Sequence, residues 1–174
     1  MHFPLVQNAA IAAGAMPNTE RLLAQGFGSL CEGCLPSYTN VNNSAIVTGT
    51  PPSVNGISGN FFLDPDSGEE VMMNDPKFLR ADTIFKAFHD AGAKVCIVTA
   101  KDKLRRLLGH GLDFSSGRAV SFSSEKADET TMAENGIDNA QEMVGRDIPS
   151  VYSAELSEFI FDAGVKLMES KPKM

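Results

Sequence analysis

The sequence predicts an α/β fold in which a mostly parallel sheet is flanked by helices. Three observations predict it. Helix-like and strand-like segments alternate through the second half of the chain. The apolar run Val95-Cys96-Ile97-Val98 follows a helix that stops at Gly92, as a central parallel strand does. Leu156, Phe159, Ile160, Ala163 and Leu167 recur at a helical period. The 174 residues are enough for one domain with a buried core, and residues 1–174 are expected to form a single domain.

Pro17 opens the first clear helix, with Leu22 and Leu23 on one face, and Gly26 stops it. Residues 28–35 read as a strand that Pro36 and Ser37 break. A helix with Thr39 at its start is then expected to end at Gly49. Residues 50–60 are expected to be loop, because Pro51, Pro52, Asn55, Gly56 and Gly59 leave little room for a regular element. Residues 61–63 and 70–73 fit a hairpin turning at Asp64-Pro65-Asp66-Ser67-Gly68, which makes Asp64 and Asp66 turn residues rather than ligands. Asp82 is the expected N-cap of a helix that buries Ile84, Phe85 and Phe88. The strand 94–99, a helix over 101–108, a strand over 119–122 and short helices near 130–134 and 139–144 follow. Ser153 is expected to cap a longer helix that ends near Glu169.

Fifteen Lys and Arg against twenty-two Asp and Glu leave a net charge of −7. That is the wrong sign for a protein that works by neutralising nucleic-acid phosphates, so no nucleic-acid partner is expected. No apolar run approaches the roughly 18 residues that cross a bilayer, and no membrane partner is expected either. The first residues lack the basic start of a secretory signal, which points to a cytoplasmic protein. Cys31, Cys34 and Cys96 are odd in number and lie in apolar context, which fits reduced, buried thiols. The Cys31-Glu32-Gly33-Cys34 pair lies inside a strand-like run with no second pair to complete a zinc site. It reads as strand residues, with redox or metal chemistry as the alternative.

A threonine at a helix start lies beside free backbone N–H groups and the positive end of the helix dipole, a setting suited to a phosphoryl group. Thr39 has that setting, and the plain alternative is an N-cap. The surrounding asparagines and the glycine-rich loop to Asn60 add amides that can hold phosphoryl oxygens. Lys101 and Lys103 follow the strand 94–99, and ligands of open α/β sheets gather at the carboxyl ends of strands. Their plain alternative is a solvated helix face, to which Arg105 and Arg106 are assigned. His89 and His110 have no ligand spacing and read as structural or surface groups.

Tyr38-Thr39-Asn40-Val41-Asn42-Asn43, the stretch from Ile46 through Thr48-Gly49 to Asn55-Gly56-Ile57, and Gly59-Asn60 resemble the nucleophile region of the alkaline phosphatase superfamily. Thr99-Ala100-Lys101-Asp102-Lys103-Leu104-Arg105-Arg106 and Pro149-Ser150-Val151-Tyr152 resemble the phosphonoacetate hydrolases within it, and the likeness runs from about Ala12 onward. The resemblance implies an alkaline-phosphatase-like sheet and a zinc-dependent enzyme that splits phosphonoacetate, its small-molecule substrate, into acetate and phosphate. It makes Thr39 both nucleophile and metal ligand, Asn60 a donor to a phosphoryl oxygen, and Lys101 and Lys103 the grip on the carboxylate. The chemistry is consistent with those residue types. An alcohol is a poor nucleophile near neutral pH until a dication makes its alkoxide accessible. Breaking a C–P bond beside a carboxylate leaves electron density that an ammonium stabilises.

The superfamily holds two zinc ions with further Asp and His side chains, from a strand before Thr39 and a segment beyond residue 174, and those ligands are absent here. His2, His89 and His110 are the only histidines. The chain is therefore expected to be a partial catalytic domain, truncated at both ends and inactive alone. The alternatives are a non-catalytic α/β fragment that binds a small anion, or another phosphodiesterase or phosphatase of the superfamily.

Overall fold

The structure, a computed structural model, describes residues 3–170. His2 and residues 171–174 lie outside the described residues. The chain divides into two compact units, Met1–Gly33 and Cys34–Met174.

In the first unit α1 (Phe3–Ala12) packs on α2 (Pro17–Gln25). The alanines of α1 are good helix formers, in keeping with its helical conformation. Helix α2 starts at Pro17 and gives way at Gly26, as the sequence predicts. Its apolar face is not a core face: no residue of α2 is buried, and Leu22 is 65% exposed. Residues 28–35 form no strand. A strand exists only through its ladder bonds, and the backbone of residues 27–33 makes none. Cys31, expected to be buried in that strand, is exposed, and Cys34 is half-buried.

In the second unit, α3 (Thr39–Thr48) ends at Gly49 in the left-handed conformation, as predicted. The expected loop contains one helical turn, α4 (Pro52–Asn55). It closes on Gly56, whose φ is +86° and where a Cβ would lie 2.6 Å from the Phe78 carbonyl oxygen. No other residue fits both conditions. The hairpin forms as β1 (Phe61–Leu63) against β2 (Glu70–Met72), with Phe61 opposite Met72.

Helix α5 (Ile84–Asp90) is capped by Thr83, whose hydroxyl accepts the Lys86 N–H at 3.1 Å, and not by Asp82. Its buried side chain is His89, with Phe85 half-buried one turn earlier, while Ile84 and Phe88 are 50% and 54% exposed. A ring that is polar yet buried is why an apolar stripe misplaced this face.

Strand β3 (Val95–Thr99) and β4 (Ala119–Ser123) pair in parallel, from Val95 opposite Ala119 to Thr99 opposite Ser123. Between them runs α6 (Asp102–Leu108). The expected parallel pairing is present, but the strand buried throughout is β4, whereas β3 exposes Cys96. Helices α7 (Met132–Asn135), α8 (Ala140–Val144) and α9 (Glu155–Ser170) complete the unit. Phe159, Ala163 and Leu167 of α9 pack with Val144 of α8 on Val120 and Phe122 of β4. Val47 of α3 and Leu108 of α6 pack with Val95 and Ile97 on the other side of the pair. Ile57, Met73, Leu79 and Leu107 form a third cluster beneath the hairpin. Among the described residues no helix is long and apolar enough to cross a membrane.

Candidate active site

Thr39 is the first residue of α3, and the N-cap position is taken by Tyr38, which makes no side-chain cap. The Thr39 side chain is exposed, and its hydroxyl bonds no other described residue. It is therefore not spent on capping. The asparagines around it are spent. Asn42 accepts the Cys34 N–H at 2.8 Å and donates to the Tyr38 carbonyl at 3.2 Å, while Asn43 donates to the Thr39 carbonyl at 2.9 Å. These amides, expected to be available to phosphoryl oxygens, fix the entry into the helix instead.

Asn40 and Asn60 form a clasp with Met73. The Asn40 N–H donates to Asn60 Oδ1 at 3.2 Å, the Met73 N–H donates to the Asn60 carbonyl at 2.8 Å, and Asn40 Nδ2 donates to the Met73 carbonyl at 2.8 Å. The oxygen of the Asn60 amide is thus engaged one residue from Thr39, and its Nδ2 group has no partner among the described residues. Asn40 is wholly buried, and its Oδ1 has no partner. In the sequence Asn40 is one of three asparagines within residues 39–43, and nothing local marks it as the one that aligns Asn60.

Lys101 lies between β3 and α6, and its backbone is pinned from both sides. Thr99 Oγ1 donates to the Lys101 carbonyl at 3.0 Å, and the Asp102 N–H donates to Glu125 Oε2 at 2.9 Å. The Lys101 ammonium stands 4.8 Å from the Tyr152 ring centroid and 3.4 Å from its hydroxyl. Lys103, in the first turn of α6, has no partner among the described residues. Helix α3 packs against α6, yet no hydrogen bond or ion pair joins either lysine to Thr39 or Asn60. The sequence assigned no role to Tyr152, although it lies in a stretch that carries the resemblance, or to Glu125, because each meets the Lys101 segment only through the tertiary fold.

Arg105 pairs with Asp102 at 2.7 Å and Arg106 is exposed. Both line a polar cavity of about 590 Å³ with His110, Lys126 and Glu129, which none of Thr39, Asn60, Lys101 or Lys103 enters. His89 is buried and its Nε2 accepts the Asp113 N–H at 3.4 Å. Asp64 accepts the Ser67 hydroxyl at 2.8 Å and the Asp66 N–H, which hold its carboxyl below the usual range, as befits a turn residue. Among the described residues no group of three or more His, Cys, Asp or Glu side chains is placed to hold a metal ion. Thr39 Oγ1 alone is a single donor and does not make a zinc site.

Residues 3–154 match the type I phosphodiesterase / nucleotide pyrophosphatase family. A phosphonoacetate hydrolase from Sinorhizobium meliloti 1021, solved with phosphonoformate, is 61% identical, with a TM-score of 0.90. The same enzyme solved with phosphonoacetate is 60% identical, again with a TM-score of 0.90. In each case the match covers 95% of this chain and 40% of that one. A calcium-transporting ATPase from Myroides odoratus is 41% identical over 56 residues, 30% of this chain and 10% of that protein. This chain thus spans 40% of the length of the solved structures it matches.

Proposed function

From a chain that belongs to the type I phosphodiesterase / nucleotide pyrophosphatase family, in the alkaline phosphatase superfamily, we propose an enzyme that hydrolyses the C–P bond of phosphonoacetate. The observation that carries the reading is the 61% identity over 95% of the chain to a phosphonoacetate hydrolase. In this reading residues 1–174 belong to one catalytic domain. Thr39 Oγ1 attacks phosphorus, the C–P electron pair passes to the α-carbon and into the carboxylate, and that carbon takes a proton to give acetate. Water then releases phosphate from the phospho-threonine.

The residues support these roles in different ways. The Thr39 hydroxyl is uncommitted, and the helix dipole at the start of α3 favours negative charge there. Asn60 Nδ2 is left to donate to a phosphoryl oxygen because its Oδ1 is held by the Asn40 N–H. Lys101 and Lys103 receive the carboxylate, where electron density develops as the C–P bond breaks. The reading includes two zinc ions, which would lower the cost of forming the Thr39 alkoxide. Thr39 Oγ1 is the one ligand that the reading names, and among the described residues no group of three or more His, Cys, Asp or Glu side chains stands together to complete such a site. Cys31 and Cys34, one exposed and one half-buried, suit a reducing cytoplasmic compartment.

The test is colorimetric phosphate release from phosphonoacetate with added zinc, using the protein as its gene encodes it. Turnover is expected, with loss of about 10³-fold or more in Thr39→Ala, in line with removal of a covalent nucleophile. Absence of turnover, or a Thr39→Ala variant that keeps the rate, would overturn the reading. A phosphodiester offered in parallel separates this activity from the phosphodiesterase alternative.

A further inference from the structure

Lys101 and Tyr152 are 51 residues apart in sequence, and their side chains meet in two ways at once. The ammonium lies 4.8 Å from the centre of the phenol ring and donates to its hydroxyl at 3.4 Å. Lys103, two residues on, makes no such contact among the described residues. The two lysines therefore differ physically. The Lys101 backbone is held by Thr99 and by the Asp102–Glu125 bond, and its tip rests on Tyr152, so both ends of a flexible four-carbon stem are restrained. A lysine in solution loses considerable rotamer freedom when it is fixed on a ligand, and a restraint already present in the free protein removes part of that cost. Tyr152 itself is 90% exposed, so burial does not explain its place. Its contact with the ammonium does.

We propose that Tyr152 is a positioning residue for substrate carboxylate, holding the Lys101 ammonium in its receiving position. The phenol oxygen accepts from Lys101 Nζ, which leaves the phenol proton free to donate to the carboxylate alongside the ammonium. The ring face stabilises the cation without neutralising it, whereas a carboxylate partner would compete with the substrate. This inference rests on the assignment of Lys101 to the carboxylate under the proposed function.

The test is calorimetric titration of the protein in a Thr39→Ala background, which prevents turnover, with phosphonoacetate and with methylphosphonate, which lacks the carboxylate. Tyr152→Phe keeps the ring and removes the hydroxyl, and about a threefold weaker phosphonoacetate affinity is expected. Tyr152→Ala removes both, with about a tenfold loss expected. Methylphosphonate binding should be unchanged in either, and neither substitution should matter further once Lys101→Ala is present. Tyr152 variants that bind phosphonoacetate as tightly as their parent, or that weaken both ligands equally, would overturn the positioning role while leaving the carboxylate assignment standing. A parent protein that binds the two ligands equally would instead overturn the carboxylate assignment of Lys101, and the role of Tyr152 with it.

Discussion

Asn60 has an amide with two chemically different ends, and the fold engages one of them. Its oxygen accepts from the Asn40 N–H, and its backbone carbonyl accepts from Met73, so the NH₂ group is the end left over beside Thr39. Two substitutions separate alignment from donation. Asn60→Asp keeps an oxygen for the Asn40 N–H but turns the donor into a negative oxygen facing a phosphoryl group. Asn60→Ala loses both. Denaturant unfolding should show Asn60→Ala as the less stable variant, by about 1 kcal/mol for the lost hydrogen bond. Phosphate release should fall about 10²-fold or more in both, with Asn60→Asp the slower enzyme. An Asn60→Asp variant that keeps wild-type turnover would remove Asn60 from the phosphoryl site.

Among the elements, α9 and β4 carry the principal core. Phe159 is wholly buried against Val120 and Phe122. Phe159→Ala is expected to cost about 3–5 kcal/mol by transfer and cavity formation, seen as a lower denaturation midpoint. The turn that leads into β4 has a pH signature. Asp113 accepts from the Ser115 hydroxyl at 2.6 Å and from its N–H at 2.9 Å, which holds the carboxyl below its usual value of 3.8. A depressed folded value means that the ionised group stabilises the fold above about pH 4 and that this contribution is lost as pH falls through the folded value. Asp113→Ala should therefore melt lower than the parent at pH 7, and the two melting temperatures should converge as the pH is taken progressively below about 4. Elements with their own local signals were legible in the sequence: α3 ending at Gly49, the hairpin about Asp64, the β3–α6–β4 run and the period of α9. What escaped depended on partners elsewhere. The 28–35 run has spaced apolar residues but no β-branched or aromatic side chain, and residues 27–33 make no ladder bonds. The buried face of α5 is marked by a histidine that only the fold shows to be interior. The roles proposed for Thr39, Asn60, Lys101 and Lys103 come from motifs, whereas the contacts of Asn40, Glu125 and Tyr152 are made across the chain and have no local signal.

Over the whole molecule, the boundary between the two units falls where the backbone is least supported. Residues 27–33 make no backbone-to-backbone hydrogen bonds, and Phe27 and Leu30 are 91% and 78% exposed. Local opening there costs little, and proteolysis follows local opening. A Glu-specific protease should cut first after Glu32, leaving a resistant fragment that begins at Gly33. Early cleavage at Glu142 or Glu158 instead would show that the second unit is the looser one. The parallel pairing of β3 and β4 has a different reach. It brings the ends of both strands, Thr99 and Ser123, to one edge, where Glu125 reaches back to the Asp102 N–H and its own N–H reaches the Ala100 carbonyl. Residues 100–102 and the turn at Glu125 are thus coupled. An insertion or deletion in one loop would displace the other, so the two are expected to drift together as the sequence diverges, with compensating changes arising in pairs.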